Sequence, residues 1–199
     1  MKFPSLFGHP ARVEAAFQRK IKAAEFADAG PHKWLFYGPP GLAKSQIALR
    51  IQKQLDPDGL NSLCLNGKEL TVEEIRKWRK SMRTRPMGSS WWITVIDELD
   101  RSSRDAQDLM LSWLDHLPPF GIVMATTNQN LDELQERLHT RFQQIKFEPP
   151  TVQEIYDQLK AAGVEPDEAE RIATGCNGNV RAAELDATTW FDFRAPATS

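Results

Sequence analysis

Eight consecutive residues, Gly38-Pro39-Pro40-Gly41-Leu42-Ala43-Lys44-Ser45, have the types and spacing needed to grip a chain of phosphates. They follow the pattern G-x-x-x-x-G-K-[ST], with alanine at position 43 where the pattern has its last glycine. Backbone N–H groups in such a turn can wrap phosphate oxygens, and a helix starting directly behind adds a favourable dipole. Lys44 is then placed to reach the β- and γ-phosphates of ATP, and the Ser45 hydroxyl to ligate Mg²⁺. Glycine permits any backbone dihedral, whereas alanine adds a methyl group. If position 43 already lies in the helix, alanine fits there without strain. The alternative is a degenerate loop that holds no nucleotide.

A second cluster lies further along, in Ile93-Thr94-Val95-Ile96-Asp97-Glu98. An apolar strand ending in Asp-Glu suits metal-assisted phosphoryl transfer. Asp97 would hold Mg²⁺, directly or through water, and Glu98 would polarise the attacking water. The bland alternative is a pair of solvated acids opening the next helix, where the dipole favours them.

Apolar runs alternate with helical patterns, the signature of a parallel sheet flanked by helices. Strands are expected at 34–37, 62–65, 91–96, 121–125 and 143–147, and helices at 11–28, 44–54, 71–82 and 102–116. Thr71 followed by Glu74 has the form of a capping box. Pro149-Pro150 marks a boundary. Three helical patterns follow, at 151–162, 166–174 and 179–190, with no strand signal. The expected organisation is a nucleotide-binding α/β domain over 1–149, a helical lid over 150–190 and a loose tail over 191–199.

The chain has 199 residues, a hydrophobic share of 41%, a charged share of 26% and a net charge of −2. These values fit a soluble globular protein and argue against a uniformly basic nucleic-acid binder. Cys64 and Cys176 match no metal-ligand spacing and read as buried free thiols of a reducing compartment. No secretory signal or membrane span is legible, so a cytoplasmic protein is expected.

With both motifs in place, the chain resembles the AAA+ ATPases, and among them the clamp-loader group. The segment 121–130 (GIVMATTNQN) is similar to that family's sensor-1 strand, which implies that Asn128 helps place the lytic water. Residues 137–142 (RLHTRF) look like its Ser-Arg-Cys box, with Thr140-Arg141-Phe142 in its place. The resemblance makes Arg141 an arginine finger reaching the γ-phosphate of a neighbouring subunit. The segment 178–181 (GNVR) resembles the sensor-2 pattern, which implies that Arg181 is a lid residue touching the γ-phosphate. The plain alternative is that Arg137, Arg141 and Arg181 are ordinary surface residues. Phe7-Gly8-His9-Pro10 resembles the stretch that packs on the adenine.

The fold implied is a P-loop NTPase with a five-stranded parallel sheet and a small three-helix lid, working as a homo- or hetero-oligomeric ring or spiral. Because the chain stops soon after the lid, a minimal form without the clamp-loader collar is expected.

Six cations, Arg76, Lys77, Arg79, Lys80, Arg83 and Arg85, fall within ten residues of an otherwise slightly acidic chain. A phosphate backbone could pass along them, with salt-sensitive and largely sequence-independent contacts. A solvated helix face paired with Glu73 and Glu74 is the alternative. The leading expectation is a Mg²⁺-dependent ATPase that loads or remodels a DNA-bound replication, repair or transposition complex. The others are a MoxR-like chaperone acting on protein clients, since that group also carries alanine before the lysine, and a non-hydrolysing nucleotide-gated scaffold.

Overall fold

The computed structural model describes residues 7–26, 28–128, 131 and 135–193. Gln129 and Asn130 of the sensor-1 segment, and most of the expected tail, lie outside the described residues. The chain divides into two compact units. One comprises residues 16–38 and 44–146. The other comprises the described residues up to Ala15, residues 39–43, and those from Phe147 onward.

The first unit is built on five parallel strands: β1 (His32–Tyr37), β2 (Ser62–Asn66), β3 (Trp92–Asp97), β4 (Gly121–Thr127) and β5 (Gln143–Lys146). Their order is β2-β3-β4-β1-β5. Every residue of β4 is buried, as suits a strand with neighbours on both sides and helices on both faces. Its register sets Leu35 beside Ala125 and Val95 beside Met124. The strands that carry the phosphate loop, the Asp-Glu pair and Asn128 therefore lie side by side, as β1, β3 and β4.

Helices α2 (Lys44–Leu55), α3 (Val72–Ser81), α4 (Arg104–Asp115) and the short α5 (Glu136–His139) complete this unit together with the latter part of α1 (Gly8–Lys22). Thr71 caps α3 by accepting from the Glu74 N–H at 3.1 Å. The reciprocal bond from the Glu74 carboxylate is absent, so half of the expected box forms. Ser103 caps α4 by accepting from the Ala106 N–H. Met110, Trp113 and Leu114 of α4 pack in one core with Ile96, Val123 and Ala125 of the sheet. Trimming one such buried side chain to alanine costs about 2–5 kcal/mol.

The expected helix over 11–28 instead spans Gly8–Lys22 and is followed by a 3₁₀ turn, Ala24–Phe26. Cys64 corrects a second expectation. Only Cys176 is buried, whereas Cys64 is exposed. β2 is an edge strand, and none of its residues is fully buried.

The second unit holds α6 (Val152–Ala161), α7 (Pro166–Gly175) and α8 (Val180–Phe193) around Ile155, Leu159, Ile172, Val180 and Ala183, all buried. Thr151 and Glu154 form a complete capping box at α6. Glu154 also accepts from Arg12 at 2.5 Å. That bond and the Thr151 backbone hold its carboxyl below the usual carboxylate range.

Candidate nucleotide site

The phosphate loop leaves β1 at Gly38, and α2 begins at Lys44. Three of its residues have positive φ: Gly38 at 137°, Gly41 at 79° and Ala43 at 60°. The third overturns the expectation that position 43 is already helical. In the left-handed region the alanine Cβ crowds its own backbone, at about 1–2 kcal/mol. The loop tightens just before the helix rather than within it, so the missing glycine has a conformational cost that spacing alone does not reveal.

Lys44 is 5% exposed, a degree of burial that lysine rarely tolerates without partners. Its ammonium donates to the Gly38 carbonyl at 2.8 Å and to Asn128 Oδ1 at 2.8 Å. Asn128 in turn directs its amide toward Glu98 Oε1 at 3.4 Å. Asp97 Oδ1 accepts from both Ser45 Oγ and Thr126 Oγ1. Thr126 Oγ1 accepts from the Glu98 N–H at 3.0 Å. One connected network thus brings together Lys44, Ser45, Asp97, Glu98 and Asn128.

Ser45 and Asp97 present hydroxyl and carboxylate oxygens to one another, an all-oxygen pair suited to a hard cation such as Mg²⁺. The residues fit that ion.

Glu98 occupies the left-handed region, with φ 55° and ψ 56°. Strain of this kind, about 1–3 kcal/mol, persists only where surroundings fix it, and it is common at functional sites. Here the Thr126 hydroxyl holds the Glu98 N–H, while Gly67 leaves room for the Glu98 carbonyl. A Cβ on Gly67 would stand 2.1 Å from that oxygen. The Glu98 carboxylate is held by Arg101 at 2.6 Å and by the Asn66 amide at 3.3 Å.

Asn66, Gly67, Arg101 and Thr126 were not singled out by the sequence reading. Position at the end of a strand was the one signal available for Asn66 and Thr126.

Arg141 shares no contact with this network among the described residues. Its Nε donates to Asp115 Oδ1 at 3.2 Å, and its Nη1 to the Arg137 carbonyl at 3.2 Å.

In the second unit, the Arg181 backbone N–H donates to the Gly41 carbonyl at 3.1 Å. Asn179 caps α8 by accepting from the Ala182 N–H at 3.1 Å. The same Asn179 side chain lies so close to Gly41 that a Cβ there would meet it at 2.2 Å. Glycine at position 41 thus serves both the turn and this contact. His9 Nδ1 accepts from the Glu148 N–H at 3.2 Å, with its ring edge toward Phe147.

Residues 34–150 match the family model described as ATPase family associated with various cellular activities (AAA). Replication factor C small subunit 2 of Pyrobaculum arsenaticum is 27% identical over 187 residues, 85% of this chain and 58% of that protein. Replication-associated recombination protein A of Bacillus subtilis is 27% identical over 167 residues, 75% of this chain and 37% of its own length. The chain thus spans little more than half of the first relative and less of the second.

Among solved structures, a point mutant of RuvB from Thermotoga maritima superposes with a TM-score of 0.72 at 23% identity. It covers 96% of this chain and 65% of its own, and shows the fold. A family match over more than half of the chain, on a sheet that sets the three motif strands adjacent, establishes that this protein belongs to the AAA family of ATPases.

Proposed function

We propose that the chain binds ATP with Mg²⁺ and hydrolyses it at subunit interfaces of an oligomer, to load or remodel a DNA-bound complex. The observation that carries this reading is the single network joining Lys44, Asn128, Glu98, Asp97 and Ser45 at the ends of β1, β3 and β4. Ligands of open α/β sheets bind at strand C-termini.

In this reading Lys44 leaves its Gly38 and Asn128 partners for the β- and γ-phosphates. Ser45 and Asp97 would hold Mg²⁺, which when bound would supply positive charge beside the phosphates. Asn128, released from Lys44, orients water, and Glu98 accepts its proton once Arg101 and Asn66 let go. Arg141 acts on the γ-phosphate of a neighbour, and Arg181 does so from its own lid. The likeness to replication factor C and to the recombination protein supports DNA as the working context.

The test is the ATPase rate against protein concentration, with and without DNA, for wild type and Arg141→Ala. Turnover per subunit should rise with concentration, rise again with DNA, and fall at least about a thousand-fold in the variant. Mixing Arg141→Ala with Glu98→Gln subunits should restore part of it. Equal turnover at every dilution, or an unimpaired variant, refutes hydrolysis between subunits. Indifference to DNA together with stimulation by an unfolded protein would shift the reading to a chaperone.

A further inference from the structure

A cavity of about 330 Å³ opens between the end of α3, the end of α4 and the loop entering β4. Arg79, Arg83 and His116 supply its polar wall, and Trp113, Pro118 and Phe120 much of its apolar wall. Phe120 directly precedes β4, and the Trp92 indole at the start of β3 donates to the Thr84 carbonyl just past α3. The cavity therefore lies at the N-terminal ends of the strands, the opposite edge of the sheet from Lys44 and Asp97. It cannot be part of the ATP site.

Its charge is in surplus. Two helix C-termini meet here, each equivalent to about half a negative charge. Against roughly one negative charge stand Arg79 and Arg83 in the cavity wall and Arg85 at the Phe120 ring. Asp115, the acid beside His116, is taken up by Arg141. Arg79 and Arg83 make no ion pair among the described residues. His116 Nδ1 donates to the Ser112 carbonyl at 2.8 Å, which leaves Nε2 for the cavity. The Arg85 guanidinium carbon lies 5.7 Å from the centroid of the Phe120 ring, against one face.

Resting on the proposed role at a DNA-bound complex, with the strand passing along the cations Arg76 to Arg85, we infer that this cavity receives one unpaired nucleotide of that strand. Arg79 and Arg83 take the phosphate, and the apolar wall with Phe120 takes the base. A duplex passing along α3 would use the cations and leave the cavity empty, because its bases stay stacked. An unpaired strand can splay a base onto an aromatic ring, which is how sequence-tolerant single-strand binders gain affinity. The volume is at the lower end for ligand pockets, the scale of one small molecule rather than a base pair. The cationic surface of α3 is thereby single-strand-preferring rather than a general polyanion track.

The test uses the full chain without ATP, and fluorescence anisotropy with a labelled mixed-sequence single strand and a duplex of equal length. Wild type should bind the single strand about ten-fold more tightly than the duplex at the same salt. Phe120→Ala should erase that preference and change duplex affinity less than three-fold. Arg76→Gln, outside the cavity, should weaken both ligands alike. If Phe120→Ala melts early, Phe120→Leu replaces it, keeping apolar volume but removing the ring, with single-strand binding again losing more than duplex binding.

Equal affinity of wild type for both ligands overturns the inference and leaves the DNA reading standing. So does a preference that survives the cavity substitutions. Displacement of the strand by polyglutamate as effectively as by unlabelled strand would mark the cavity as a protein-docking site and sink it as well. Binding of neither nucleic acid removes the DNA reading itself, while the nucleotide-dependent tests of Arg141 stand apart.

Discussion

At the C-terminal ends of β1, β3 and β4, Lys44, Asp97 and Glu98 are each held by neighbours in one network. At the N-terminal ends of the same strands, Arg79 and Arg83 form no ion pair among the described residues and flank an apolar-walled cavity. A closed network resists a ligand unless that ligand replaces its bonds one for one, which a triphosphate with its metal can do. An uncompensated wall instead attracts an anion with nothing to displace. In the proposed function, the first arrangement makes ATP binding coincide with rearrangement of Lys44, Asp97 and Glu98. The second makes binding a matter of charge and shape, sensitive to salt and indifferent to catalysis. One sheet thus carries, in the functions proposed, a switch at the C-terminal ends of its strands and a track at their N-terminal ends.

Lys44→Ala should separate the two edges most sharply. Losing charged hydrogen bonds to phosphate should weaken ATP binding about a hundred-fold by calorimetry. Nucleic-acid affinity, measured by anisotropy without nucleotide, should stay within two-fold of wild type. A parallel fall in both would mean that the edges are not independent.

Gly67→Ala comes next. Its Cβ would collide with the Glu98 carbonyl, which the backbone cannot avoid without moving Glu98. We expect a loss of about 1–3 kcal/mol in urea-unfolding stability. Turnover should fall more than ATP affinity, because the displaced group is the one proposed to handle water. Equal loss in both would argue that Gly67 supports the whole site rather than Glu98 alone.

The sequence made legible what chemistry writes into spacing. The phosphate loop, the acidic pair and the capped helix start at Thr71 can each be read within a dozen residues. Other features depend on partners far apart in the chain. Asn66 and Thr126 matter because β2 and β4 flank β3, and that order is not encoded in any one segment. Cys64 is exposed because β2 is at the edge, a property of the sheet rather than of its apolar sequence. The conformation of Ala43 escapes its sequence for a different reason. A loop that must return the chain to the axis of α2 fixes one dihedral by closure, and residue type does not report it.

That dihedral can be tested directly. Ala43→Gly removes the left-handed penalty but loosens the unfolded chain, two effects of opposite sign. The penalty is the larger, so urea unfolding should show a gain of about 0.5–1 kcal/mol. ATP affinity should hold or improve. A loss of stability would mean that the methyl group makes contacts that outweigh its strain.

The smallest expected effect belongs to the other edge, at the first residue of β1. His32 is buried, stacked on Phe26 at 4.2 Å and close to Trp34 and Trp91. Its Nε2 contacts the Phe26 carbonyl at 3.1 Å, which a neutral ring bearing hydrogen there satisfies. Burial lowers its pKa below the ordinary 6.5, the Phe26 bond opposes this, and Lys20 adds to the lowering. Protons therefore bind the unfolded chain more readily than the folded one. The resulting stability is complete above about pH 6.5 and is lost as pH falls from there toward the depressed folded value. One proton limits the slope to about 1.4 kcal/mol per pH unit. Urea titrations of wild type and His32→Gln between pH 7.5 and 5 should converge as the pH falls, since the variant lacks that group. Parallel curves would place the acid sensitivity elsewhere. A drop in ATP affinity confined to wild type over this range would show that the strand transmits protonation from one edge to the other.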